Sequence, residues 1–181
     1  MQRLLILAIL LFTICSSGTG QRFMTKSGFA GFYSKTPLED IEAENKQVYA
    51  VIDAGTGKIA VMMLIKGFVF PRELMQEHFN ENYAESDLYP KAIFEGGFSG
   101  EIPLNKPGDY PVLVSGSLSL HGVTQKMVLP ATLELKNGSL DGHIEFTIKP
   151  EDFQIRIPSL VRDKIAREIR VRVTLHCMPV N

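Results

Sequence analysis

Tryptophan is absent from the 181 residues, cysteine occurs only twice, and beyond Ile14 no run is apolar enough to cross a bilayer. Basic residues never gather with aromatics, and the formal charge is only −1. Each absence excludes a class of protein. A nearly neutral chain without a basic, aromatic-studded patch is not built to hold nucleic acid. Without a second long apolar run, stable membrane insertion is not expected. Cys15 falls in the leader segment described next, so Cys177 would be the one thiol of the mature chain and no internal disulfide could form. Stability must then come from a core, and about 160 residues suffice to bury about 70% of their unfolded surface as one domain.

Residues 1–20 read as a secretory signal peptide. A cationic start at Met1 and Arg3 runs into the apolar stretch Leu4 to Ile14 and then into Ser16-Ser17-Gly18-Thr19-Gly20. That stretch is shorter than the roughly 20 residues a spanning helix needs, and small residues follow where a signal peptidase requires them. Cleavage near Gly20 would leave a domain of residues 21–181, periplasmic or secreted, and the loss of Arg3 would take the charge from −1 to about −2. Cys15 raises a lipoprotein alternative. Phe12, Thr13 and Ile14 disfavour it, because small residues are expected ahead of a lipidated cysteine.

The strongest regularity in the rest of the chain is alternation of apolar and polar residues. Leu140, Gly142, Ile144, Phe146 and Ile148 alternate with Asp141, His143, Glu145, Thr147 and Lys149; Ile169, Val171, Val173, Leu175 and Cys177 alternate with Arg170, Arg172, Thr174 and His176. This is how a strand reads when one face is in a core and the other in water, as in an antiparallel sheet. Turn chemistry agrees. Asn137-Gly138 suits a two-residue hairpin turn, Asp53 to Gly57 reads as a longer loop, and His121-Gly122 as a tight turn or sharp bend. Strands are placed near 28–35, 47–53, 58–66, 91–100, 109–121, 123–136, 139–149 and 168–177. Eight long strands without covering helices hide their edges and bury their apolar faces at once if the sheet closes into a barrel, and strands of ten residues favour that over a sandwich. Two helices are expected: one from Pro71, with Leu74, Met75, His78, Phe79 and Tyr83 at helical spacing near the barrel mouth, and one from Pro158 to about Ala166, before the last strand.

The segment Leu74-Met75-Gln76-Glu77-His78-Phe79-Asn80-Glu81-Asn82-Tyr83, with Glu85-Ser86-Asp87 and Tyr89-Pro90-Lys91 after it, resembles a signature of YceI-like proteins. Leu120-His121-Gly122-Val123-Thr124-Gln125 is similar to a turn joining two long strands in that family. Ala43-Glu44-Asn45 before a strand, and Pro158-Ser159-Leu160 with Lys164-Ile165 before the last strand, also resemble it. The resemblance implies an all-β, eight-stranded extended lipocalin-like barrel, exported to the periplasm, whose interior binds an isoprenoid chain or a related amphiphilic, quinone-like lipid. It brings no catalytic residues and no dedicated cofactor. Ala84 stands where the signature commonly has a bulkier apolar residue such as Met, which would widen the space beneath the helix.

A lipid carrier needs an apolar lining more than a motif. Met62, Met63, Phe68, Phe70, Leu74, Met75, Phe79, Tyr83, Phe94 and Phe98 are the candidate lining, and the competing reading is that they pack the core. Arg156, Arg162 and Lys164, in a C-terminal basic region with Arg167, Arg170 and Arg172, are candidates for a phosphate or pyrophosphate head group, against the reading of a solvated surface. No histidine has metal-ligand company: His78 lacks a His-Glu-x-x-His pattern and reads as a half-buried structural residue, and His121 as holding its turn through a backbone hydrogen bond. Ser86 near Asp87 and His78 is the one grouping suggestive of a hydrolase, but it lacks the nucleophile-elbow glycines, and helix capping explains it more simply. The expected function is thus a non-enzymatic carrier, monomer or homodimer, of a hydrophobic small molecule. The alternative is a solid barrel that engages a protein partner.

Overall fold

The computed structural model describes residues 21–180; the leader, Cys15 and the cleavage point lie outside the described residues. Eight strands run in order β1 Arg22–Lys35, β2 Asp40–Asp53, β3 Lys58–Leu64, β4 Lys91–Ser99, β5 Gly108–Leu120, β6 Val123–Lys136, β7 Ser139–Ile148 and β8 Ile169–Val180. Each is antiparallel to the next, and β8 returns to β1, closing the barrel.

The strands β1 and β2 begin at Arg22 and Asp40, well before the positions read from alternation. Their pairing slips between Thr25 and Gly28 and again between Gly28 and Ala30. These bulges reverse the inward phase: Phe23 and Thr25 are buried before them, Gly28 and Ala30 after. A reading that requires unbroken period two loses such a strand. On β2 the obstacle is Asn45, fully buried but satisfied: its Nδ2 donates to the Leu64 carbonyl at 2.9 Å and its Oδ1 accepts from the Gln47 N–H at 2.8 Å.

The turns at one end are short. Asn137 and Gly138 both have positive φ, 52° and 80°, as a primed hairpin turn demands, and Asp53 Oδ1 accepts the Thr56 N–H at 2.9 Å inside the Asp53 to Gly57 loop. This end is shut by Phe23, Ile52, Leu135, Leu140 and Cys177, each no more than 5% exposed. Midway up, Gly96 and Gly116 face each other across β4 and β5. A Cβ on Gly96 would fall on the Ser115 carbonyl, and one on Gly116 on the Glu95 carbonyl and the Phe94 ring. Glycine here permits a close approach of two backbones.

The other end carries the long connections. After β3 a 3-10 turn, Ile65–Gly67, leads through Phe68 and Phe70 to α1, Glu73–His78, which continues as a π turn, Phe79–Tyr83. Helix α1 starts at Glu73, so Pro71 precedes the helix instead of opening it; residues 68–72 are held outside it because Val69 exchanges backbone hydrogen bonds with Glu44. A helix this short is not stable by itself. It is held by rings: Phe79 lies 5.3, 6.0 and 5.1 Å from Phe32, Phe68 and Phe70. Between β7 and β8 the chain makes 3-10 turns at Pro150–Phe153, which was not expected, and at Ser159–Lys164, where an α-helix was.

Candidate functional site

Inside the barrel lies an apolar cavity of about 590 Å³. Its wall follows from period two: β3 sends Val61 and Met63 inward, β4 Phe94, β5 Leu118, β7 Ile144 and Phe146. Helix α1 and its π turn roof one side with Leu74, Met75, Phe79 and Tyr83, and Ile157, Val161 and Ile165 roof another. Polar groups reach the lining chiefly at its rim. Arg72 Nη2 pairs there with Glu39 Oε1, and His78 and Lys164 stand exposed beside it.

Of the candidate lining residues, Met63, Phe68, Phe70, Leu74, Met75, Phe79, Tyr83 and Phe94 border the cavity. Met62 and Phe98 do not. Adjacent residues on a strand face opposite sides, so Met62 stands in the outer row between Tyr49 and Ile93 while Met63 faces in. Phe98 packs against the core outside the lining. Of the head-group candidates only Lys164 borders the cavity; Arg156 and Arg162 are exposed away from it. Arg170 and Arg172 lie on the outer face, over the Tyr33 ring at 5.4 and 5.5 Å, with Arg172 Nε donating to Glu145 at 3.1 Å.

Sequence reasoning missed Phe32, Val61, Leu118, Phe146, the coil residues Ile155 and Ile157, and Val161 of the last 3-10 turn as lining. Alternation already marked Leu118 and Phe146 as inward; attention to the aromatic and methionine-rich stretch between Met62 and Phe98 left out these two and Phe32, and passed over Val61 for its neighbours Met62 and Met63. Ile155 and Ile157 carried no comparable signal, whereas Val161 fell on the apolar side of the helix expected from Pro158 to about Ala166.

The histidines and Ser86 also differ in part from expectation. His78 is exposed at the mouth instead of half-buried. His121 does bond a backbone carbonyl, but a remote one: Nδ1 meets Phe153 O at 2.9 Å and Nε2 meets Glu85 Oε2 at 2.9 Å, with Tyr89 packed on the ring at 4.4 Å. The ring thus bonds through both of its nitrogens. It thereby clasps three mouth segments together. Ser86 is buried, and its N–H and hydroxyl both point to the Asn80 carbonyl, at 2.8 and 3.4 Å, closing the end of the π turn. Asp87 is exposed and accepts from Lys66 Nζ at 2.6 Å. Among the described residues no histidine is hydrogen-bonded to Ser86, so the geometry of an activated nucleophile is not formed there.

At the shut end, burial pushes the Cys177 thiol up to about 12, with the nearby Asp141 charge adding to it. The Asp53 carboxyl is held below its usual range, first by the Thr56 backbone N–H and further by the Thr56 hydroxyl and Arg22, against an opposing effect of burial.

A closed antiparallel barrel shut at one end, with an apolar hollow under a helical flap, defines the class of lipocalin-like hollow barrels. The chain belongs to the YceI-like family, whose domain matches residues 19–177. Among solved structures it is similar to a polyisoprenoid-binding domain from Saccharophagus degradans implicated in plant cell wall breakdown, with a TM-score of 0.75, 15% identity, and coverage of 88% of this chain and 98% of that one. It is also similar to BcnA of Burkholderia cenocepacia, at 0.69, 16%, 82% and 95%, and to a YceI protein of Campylobacter jejuni, at 0.57, 16%, 76% and 83%. At these identities the likeness concerns the fold. Comparison with curated protein sequences gives no match.

Proposed function

We propose that this protein is a non-enzymatic carrier that holds an isoprenoid or a related amphiphilic, quinone-like lipid in its barrel, outside the cytoplasm after export. The observation that carries the reading is the apolar hollow of about 590 Å³, walled by hydrocarbon and ringed by charge only at its mouth. The polyisoprenoid-binding domain from Saccharophagus degradans shares the fold and supports the choice of ligand class.

Energetics favour such a ligand. Burying a 15-carbon chain gains about 12 kcal/mol at about 0.8 kcal/mol per carbon. Lost translational and rotational freedom takes back at least about 4 kcal/mol. The remainder corresponds to about micromolar binding without any specific polar contact. Lys164 and His78 then face the polar end of the ligand at the mouth.

The direct test is native mass spectrometry of protein purified from its own cells, with farnesol titration of the delipidated chain. A co-purifying lipid and one-to-one farnesol binding are expected; an empty protein that does not bind farnesol would remove the proposal. A second reading, a protein-interaction surface, draws on Tyr49, Val51, Leu64 and Ile93, each at least 36% exposed on the outer face of β2 to β4. Retention of the farnesol affinity when Ile93 and Tyr49 are made polar separates the two.

A further inference from the structure

The barrel is laced unevenly. Strand β6 pairs with β5 along its length, to Leu120–Val123, and β7 pairs with β8 up to Ile148–Ile169. Between β6 and β7, however, pairing covers only Lys136–Ser139 to Thr132–His143 and then stops. Above that rung the two strands part. Further up they are tied again only indirectly, where Gln125 Nε2 donates to the Asp152 carbonyl at 2.9 Å. The opening so framed runs along β6 from about residue 126 to 131, about 20 Å at about 3.3 Å per residue.

Two observations bear on where the opening leads. Ala131, Thr132, His143, Ile144 and Val173 border both the cavity and a separate groove on the outer surface. Pro130 sits at this edge of β6 opposite Leu113. Lacking an N–H, it fits the β5 ladder only if that position faces the gap, so a hydrogen-bonded strand cannot seal the gap there. Outside it, Val128 and Leu113 are 63% and 47% exposed.

We infer that this gap is a lateral window through which the far end of a long apolar chain leaves the cavity. The inference rests on the carrier reading. At about 30 Å³ per chain carbon, close to the volume of a water molecule, the hollow of about 590 Å³ takes about twenty carbons. A longer chain has to emerge. The far end is shut by Phe23, Leu140 and Cys177, and the roof on the α1 side is filled by the four stacked phenylalanines. Pairing between β2 and β3 also stops early, at Tyr49–Met62, but there Val69 bridges to Glu44; among the described residues no such bridge spans β6 and β7 above Thr132–His143, which leaves the window as the apolar way out. An amphiphile thus lies with its polar end by Lys164 and its tail across Ala131 and Ile144.

The experiment uses the unaltered protein and two prenyl alcohols, of 15 and 45 carbons, each with a diazirine on its terminal isoprene. After photolysis and digestion, the long probe is expected on Leu113, Val128 or Pro130, and the short probe on interior residues such as Phe94. Long-probe labelling confined to α1 and Leu160 at the mouth would overturn the window while leaving carriage intact. Binding of neither probe would overturn carriage and the window with it. As a second measurement, Val128→Asp puts a charge on the outer lip of the window, outside the cavity lining, and is expected to weaken the 45-carbon alcohol about tenfold or more while sparing the 15-carbon one; equal weakening of both would refute the inference.

Discussion

Ala84→Met asks how much of the hollow is set by one residue. Ala84 is 5% exposed, borders the cavity, and packs with Ile65 and Ala92 under the π turn. Methionine adds three heavy atoms, about 90 Å³ at about 30 Å³ each. That is about a seventh of the 590 Å³ hollow, or the room of about three chain carbons. At about 0.8 kcal/mol per carbon the loss is about 2.4 kcal/mol, or about 50-fold in affinity, for a ligand that fills the space. A ligand that leaves that corner empty should bind unchanged. The assay is calorimetric titration of parent and variant with prenyl alcohols of 10 and 20 carbons. Melting temperatures are compared alongside, since overpacking costs about 1–3 kcal/mol. Equal affinities of parent and variant for the 20-carbon alcohol, with the introduced thioether ordered inside the hollow, would refute the claim that residue 84 limits ligand size.

Burial raises the Cys177 thiol to about 12, so the unfolded chain releases that proton first as pH rises above about 9. Stability should therefore fall by about 1.4 kcal/mol per pH unit between about 9 and 12, and Cys177→Ala should flatten that limb in denaturant titrations; parallel limbs would contradict the assignment. The depressed Asp53 carboxyl works on the acid side. Its stabilisation is present above the unfolded value of about 3.9 and is lost as pH falls through the lower folded value, so the stability gap between parent and Asp53→Asn should close below about pH 4. His121→Ala strands the Phe153 carbonyl and Glu85 at the mouth clasp, and should cost about 1–3 kcal/mol in urea unfolding. Lys164→Ala should weaken a prenyl pyrophosphate at low salt more than the matching alcohol, with equal losses arguing against a head-group role.

The amino-acid sequence by itself determined the strand count, the hairpin turns and the facing of most wall residues. Alternation and positive-φ turn residues are local properties, written in neighbouring positions. Period two also separates Met62 from Met63, although the composition of the stretch led both to be grouped as lining. Where locality failed, the sequence misled. The bulges around Gly28 and the buried Asn45 broke the alternation of β1 and β2, and the coil carrying Ile155 and Ile157 had no periodicity to read.

The tertiary structure decided which inward residues enclose empty space and which meet each other. Leu140 and Phe146 obey the same alternation on one strand, yet one is sealed in the shut end and the other borders the hollow. The parting of β6 from β7 and the distance of Arg156 and Arg162 from the lining were likewise decided there. A void is bounded by residues from strands far apart in sequence. Its size depends on whether side chains meet across the barrel axis, a distance that no local pattern encodes.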